Sequence, residues 1–456
     1  MSAKQITRRD FLKATGMTLA GAALTACVPA AATATAPAAP AASAVPAATA
    51  VPAAVATGVP TVVKARKVQV AVGGWAEKVT KDLLASTTFT KDSGIEVEIV
   101  LRTDTKETEF TRLASAVQAG TSPYDVIDFE DELTTSFSQA GYVIGLDDIL
   151  PKDMWDDFSP EMVAYSKKWS AYNGQTFRVI HNWEMPYWWY RKDWFDAKKV
   201  EVPKTWDDVA KMGEVFTDEK KGVWATSDGL QKGALLNVYL AWITLQAGGN
   251  AFEVGDPYKT GLQYIYDLMH TKKALNPAAL QKDYNMVNAD YIADKVAFMR
   301  QWPFFGDVAR SPDNKAWFSD DKVAVALPPV GPGGKAGSTY PAAWGFGIVK
   351  TAPHMDEAKE FVKWMCTKET AVAAMKAGFW YLNARKSVLA AADQNNYLVK
   401  MIKMYTDAGV IGVRPFHPKF VEALTVLEDN AAAYLTDQIK LDQALSQTKD
   451  ALAKLA

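Results

Sequence analysis

Between residues 67 and 131 the chain alternates short β-branched runs with helical stretches, and that alternation leaves few folds open to it. Residues 67–72 read as a buried strand that stops at Gly73-Gly74-Trp75. Residues 77–91 are predicted as a helix, 95–101 as a second strand, 106–119 as a helix stopped by Gly120, and 125–129 as a third strand. Periods of two and 3.6 alternating in this way build a parallel sheet with helices on both faces. In such sheets ligands lie beyond the carboxyl ends of the strands. Those ends carry Trp75 and the acidic pair Glu130-Asp131.

The pattern continues beyond an aromatic stretch at 169–195. Thr205 with Asp208 forms an N-cap signature at the start of a helix. Residues 234–245 are a mostly apolar helix, ended by Gly248-Gly249, and 293–300 lead into Gln301-Trp302. Residues 323–327 and 346–349 read as strands, 356–377 as one helix, and the chain from 419 onward as amphipathic helix.

The first sixty residues have a different character. Thr7-Arg8-Arg9-Asp10-Phe11-Leu12-Lys13 has the form of a twin-arginine export signal. The apolar stretch after it, 14–26, is shorter than the roughly 20 residues needed to span a bilayer. It ends in Leu24-Thr25-Ala26-Cys27, which resembles a lipoprotein processing box, so Cys27 is the expected lipidation site. The Ala/Pro/Thr run that follows has too few large side chains to bury a core, and its prolines favour an extended stalk. Exported and anchored by lipid at the outer face of the cytoplasmic membrane, the chain presents a folded region of roughly 390 residues, a length that suits two domains.

Composition excludes several functions. The formal net charge is −2, which gives no case for nucleic acid. Of two cysteines, Cys27 lies in the export segment, so Cys366 has no disulfide partner and reads as a small core residue. The four histidines are scattered, and no phosphate loop, dinucleotide loop, His-Glu-x-x-His or Gly-x-Ser-x-Gly is present, so neither metal, cofactor nor enzyme chemistry is expected. Fifteen tryptophans are the unusual feature. Most must fill core; those that line a cleft offer flat faces to sugar rings or cations.

The order of segments resembles an extracellular solute-binding protein of the carbohydrate-uptake ABC transporter type, related to maltose-binding protein. The resemblance rests on Pro123-Tyr124-Asp125-Val126 with Gly141-Tyr142-Val143, Trp189-Tyr190-Arg191-Lys192-Asp193-Trp194-Phe195 leading to Pro203-Lys204-Thr205-Trp206, Lys295-Val296-Ala297-Phe298-Met299 with Trp302, and Trp344-Gly345-Phe346-Gly347-Ile348. It departs from the commoner pattern at Arg191, where the family usually has Asn, and at Trp344-Gly345, where a double glycine is usual. The resemblance implies a monomeric α/β protein of type II periplasmic-binding fold, with two doubly wound sheets joined by crossing strands. It implies an export signal to residue 27, a stalk over 28–63, a first lobe of 64–183 with 341–385, and a second of 184–340 with 386–456. The implied activity is capture of a sugar or oligosaccharide and its delivery to ABC permease subunits. Chemistry and position together make Trp75, Trp183, Trp302, Trp344 and Trp380 stacking candidates, with Tyr187, Tyr239 and Trp242 behind them. Glu130, Asp131 and Glu184 are candidate acceptors for solute hydroxyls. An aromatic box with carboxylates also suits a polyamine or other organic cation. A tethered glycoside hydrolase is the third alternative and requires two opposed carboxylates.

Overall fold

The computed structural model describes residues 66–102, 106–233, 235–332, 339–378 and 385–455. The export signal, Cys27, the stalk and Trp380 lie outside the described residues. In chain order the elements that matter here are β1 (Arg66–Val72), α1 (Gly74–Ser86), β2 (Ile95–Leu101), α2 (Lys106–Gln118), β3 (Val126–Glu130), β4 (Val179–Ile180), β5 (Tyr187–Arg191), α3 (Trp206–Phe216), β6 (Trp224–Ser227), α4 (Leu236–Gln246), α5 (Asp256–Tyr266), α6 (Tyr284–Ile292), β7 (Val296–Gln301), β8 (Val323–Ala326), β9 (Trp344–Ile348), α7 (Met355–Met365), α8 (Lys368–Lys376), α9 (Tyr397–Asp407), α10 (Phe420–Leu435) and α11 (Leu441–Ala453).

Two principal sheets organise them. The first has the order β2-β1-β3-β9-β4 and the second β8-β5-β7-β6. β1 pairs parallel with β2 and β3, as the alternation predicts. β9 returns from much later in the chain and lies antiparallel to β3, so the sheet is mixed rather than wholly parallel. That return requires Gly345: a Cβ there would sit 2.4 Å from the Val179 carbonyl oxygen. The glycine lets β9 close against β4, with Gly345 opposite Ile180.

Local chemistry explains several boundaries. At α3 the Thr205 hydroxyl accepts from the Asp208 amide while the Asp208 carboxylate accepts from the Thr205 amide, a complete capping box. The helix expected over 77–91 is two: α1 ends at Ser86, and Phe89–Ser93 forms a separate turn. Thr87, whose hydroxyl bonds back to the Leu83 carbonyl at 3.0 Å, sits at the break. The helix expected over 356–377 is also broken. Thr367 caps α8 by accepting from the Thr370 amide, two residues after α7 ends at Met365. Such side-chain acceptors offer the backbone an alternative to continuing one helix.

The aromatic stretch becomes β5, whose Tyr187, Trp188 and Trp189 are all buried. Trp188 packs on Phe298 of β7 and stacks on Trp242 of α4 at 5.8 Å. Trp189 meets Phe305 edge to face. Burying a side chain such as Phe298 is worth about 1.5–3 kcal/mol over leaving it exposed, so this strand is a core element first. Cys366 is buried, donates its S–H to the Val362 carbonyl at 3.1 Å, and burial pushes its thiol pKa up to about 12, the behaviour of a core residue.

Candidate binding site at the strand ends

The first sheet places four candidate side chains along one edge by topology alone. Trp75 follows β1 by three residues, Arg102 follows β2, and Glu130 ends β3. β9 runs the opposite way, so its first residue, Trp344, pairs with Glu130 in register. Trp75 and Trp344 meet edge to face, with ring centroids 5.1 Å apart. The Arg102 guanidinium lies over the Trp344 ring at 4.7 Å. Both indoles are only partly buried, so aromatic surface remains open beside charged groups. Gly73 makes room for this arrangement: a Cβ there would come within 2.7 Å of the Trp75 Nε1. Trp344 takes the first position of the glycine pair expected from the family pattern. Alternation along β9 sends its side chain to the face opposite that of Gly345, so only the second glycine is needed for packing.

Beside this edge the chain passes between the two sheets twice, near 181–186 and near 340–343. Glu184 and Ala342 exchange both backbone hydrogen bonds, at 3.0 and 2.8 Å, joining the two crossings. Thr339 joins the second to the segment 410–412: its amide donates to the Val410 carbonyl at 2.8 Å, and its carbonyl accepts from the Gly412 amide at 2.6 Å. Both crossings were legible in the sequence. The segment that lies along them, 410–414, was not.

Arg414 ends that segment. It is buried and ion-paired to Asp131 at 2.5 Å and to Glu132. The rings of Trp169 and Phe420 flank its guanidinium at 4.8 and 5.1 Å. Asp131 also accepts from the Tyr165 hydroxyl and, at 3.3 Å, from the Ala343 amide. Its carboxylate is thus committed to protein partners, in contrast to the free acceptor expected from its position. A cationic residue with no local motif around it gives no sequence signal for this role.

Glu184 lies within the first crossing, near Glu130 and Asp131. Burial, then the negative charges of Glu130 and Asp131, push its pKa up from 4.5 to about 8, opposed by a hydrogen bond from the Trp344 side chain. Its Oε2 has no partner among the described residues. Trp183, next to it, is half-buried between the two largest core clusters, and its indole N–H likewise lacks an acceptor among those residues.

The second sheet presents its strand ends differently. Asp228, just after β6, and Arg300, near the end of β7, form a buried bidentate pair with both contacts at 2.8 Å. Tyr239 and Trp242 of α4 pack under the Arg300 guanidinium, at 5.2 and 5.5 Å. Both are buried, as is Tyr187, which packs on Tyr405 with centroids 4.6 Å apart. These three expected contacts therefore sit in core rather than at an open surface. Trp302 follows β7 and stays half-buried. Its amide donates to the Gln301 Oε1 at 3.0 Å, while Gln301 donates to Asn288 at 2.7 Å, which holds the strand end against α6. Tyr284 and Phe304 meet edge to face nearby, a pair the sequence reading passed over because neither stands in a motif.

Among the described residues no group of His, Cys, Asp and Glu is arranged to hold a metal ion, and no helix is long and apolar enough to cross a membrane. The twin-arginine translocation signal profile matches residues 5–25. A probable ABC transporter-binding protein of Deinococcus radiodurans is 25% identical over 237 residues, 49% of this chain and 50% of that protein, so the chain spans about half the length of this curated relative. Solved structures share the fold. Maltose-bound MalE3 of T. maritima aligns with a TM-score of 0.71 and 22% identity over 86% of this chain and 100% of that one. The GacH receptor of Streptomyces glaucescens, solved unliganded and with acarbose, aligns at 0.71 and 20% over 86% and 98%. A ribitol complex of an ABC transporter solute-binding protein from Agrobacterium radiobacter aligns at 0.70 and 20% over 86% and 99%. The profile of the bacterial extracellular solute-binding proteins matches residues 69–372, and the chain, a two-lobed α/β binding protein rather than an enzyme, belongs to that family.

Proposed function

We propose that this protein captures a sugar or polyol at the edge formed by Trp75, Glu130, Trp344 and the crossing residues Trp183 and Glu184, with Trp302 contributed from the second sheet. The observation that carries this reading is the Trp75–Trp344 pair, 5.1 Å between centroids, standing beside Glu130 and Arg102 at the strand ends. Half-open indole faces pack against the C–H faces of a ring or chain, and the carboxylate and guanidinium take its hydroxyls. The fold neighbours were solved with maltose, acarbose and ribitol, which supports a polyhydroxylated solute. The resemblance to a probable ABC transporter-binding protein supports delivery to a permease. On this reading Cys27 carries the lipid that holds the protein at the membrane. The lobes follow the two sheets, 64–183 with 341–385 and 184–340 with 386–456. Solute bridging them favours the closed arrangement, which the permease reads.

A second reading has one observation in its favour: three carboxyl groups, Glu130, Asp131 and Glu184, stand close together, as an organic cation would need. Arg414 on Asp131 and Arg102 beside Trp344 already supply positive charge there, which weighs toward a neutral solute. Thermal unfolding against maltose, ribitol, larger oligosaccharides and putrescine separates the two. A ligand at a hundred times its Kd stabilises by about 2.7 kcal/mol. A shift with a sugar or polyol is expected; a shift with putrescine alone would reverse the assignment.

A further inference from the structure

We infer that Glu184 is a positioning residue for the site, that it holds the Trp344 indole as an uncharged carboxyl, and that solute capture is thereby linked to a proton. The inference rests on the solute-binding role proposed above for this edge.

Glu184 is tied into the crossing by the pair of backbone bonds to Ala342, so its side chain has little freedom to withdraw. Its carboxyl meets the Trp344 side chain, the same ring that contacts Trp75 and lies under Arg102. Its Oε2 is buried without a partner among the described residues, a costly place for half of a negative charge and a tolerable one for a neutral group. The groups around it do not compensate. From β3 and the turn after it come two more carboxylates, Glu130 and Asp131. Arg414, from the segment 410–414, is spent on Asp131 and Glu132. Arg102, beyond β2, lies over the Trp344 ring. From the first crossing itself, His181 bonds Asp128 at 2.8 Å, and Tyr187 is an uncharged phenol in the core.

A carboxyl in these surroundings gives up its proton near pH 8 rather than near 4.5. A solute seated on Trp344 removes more water from it and raises the cost of its charge further. The occupied site therefore keeps the proton that the empty site loses as the pH rises, and capture weakens through the same range.

Calorimetric titration of the purified protein with maltose and with ribitol between about pH 6 and pH 9 tests this. With full linkage the affinity for whichever probe binds falls about tenfold from pH 7 to pH 9. Glu184→Gln, which keeps an acceptor for the indole and cannot ionise, is expected to show a flat profile across this range, whatever its affinity at pH 7. Glu184→Ala is expected to bind about tenfold more weakly at every pH, the loss of one well-placed hydrogen bond to a buried group. A flat or rising profile in the unmodified protein, or full affinity in the alanine variant, overturns the inference. If neither probe binds, the sugar-or-polyol assignment fails and the role of Glu184 is decided without solute. The Trp344 indole N–H resonance, assigned by its loss in Trp344→Phe, is expected to shift with a midpoint near pH 8 and to stay fixed in Glu184→Gln. A resonance insensitive to pH across that range overturns the inference by itself.

Discussion

The ends of the two sheets use aromatic residues in opposite ways. At the first sheet, Trp75 and Trp344 stand half-open beside Arg102 and Glu130. At the second, Tyr239 and Trp242 are buried beneath the Asp228–Arg300 pair, and Tyr187 lies in core behind them. The residue types are the same; the register differs. At the first edge the side chains stand at the ends of short strands and meet across β3 within one sheet. At the second they sit on a helix buried on nearly every side, and their rings pack in core. Aromatic content alone therefore says little about which wall touches solute.

The largest expected effect lies on the covered side. Trp242→Ala removes a ring packed on Trp188 and Arg300 and should cost about 3–5 kcal/mol in urea unfolding, while the folded fraction keeps its solute affinity. A variant that folds normally but loses binding would place Trp242 at the solute instead. Arg414→Met should cost a comparable 3–5 kcal/mol by leaving Asp131 and Glu132 buried without their cation. If unfolding is unchanged, the Arg414 pairs do not hold the segment 410–414 to the turn after β3. Trp344→Ala tests the open side. It is expected to weaken solute binding by about 1.5–3 kcal/mol, the scale of one buried aromatic contact, with a smaller effect on stability. An equal loss in both measurements would erase the contrast between the walls.

The pH dependence of stability sharpens the same contrast. Glu184 has its folded pKa raised to about 8, so the folded protein holds a proton there that the unfolded chain has released above about pH 4.5. Its contribution is fully present below pH 4.5 and is lost as the pH rises toward 8, by at most about 1.4 kcal/mol per pH unit. Glu184→Gln should therefore match the unmodified protein near pH 4 and exceed it progressively up to pH 8. Equal melting temperatures at pH 5 and pH 8 for both proteins would count against a raised pKa. The smallest effect is local to the second sheet's flank: Thr205→Ala removes the α3 cap and should cost about 1 kcal/mol, with no change in binding.

Much of the architecture was legible because it is written locally. The β-branched runs at β1, β2 and β3 appear where their period of two places them, and the Thr205–Asp208 box marks the start of α3. Helix breaks were missed at Thr87 and at Thr367, where a hydroxyl competes with the backbone ladder over a single residue. Such a break leaves hydrophobic spacing intact and is invisible to it. Among the proposed contact residues, Trp75 and Glu130 stand at strand ends that the alternation marks, and Trp344 stands at the return crossing that the family order marks. Tyr187, Tyr239 and Trp242 were not separable from core, because burial depends on which helix packs above them. Asp131 had the right address, but Arg414 arrives from nearly three hundred residues away to occupy it.

By itself the sequence determined the export signal form, the α/β alternation, the lack of disulfide and metal-site spacing, and the family order of segments. Each depends on residues near one another in the chain. Only the tertiary structure decided that β9 returns antiparallel beside β3, that the segment 410–414 pairs with the second crossing, and that Glu184 faces two other carboxyl groups. Those features depend on pairings between segments far apart in sequence. Burial and charge at a given residue are properties of the neighbours that such pairings bring to it.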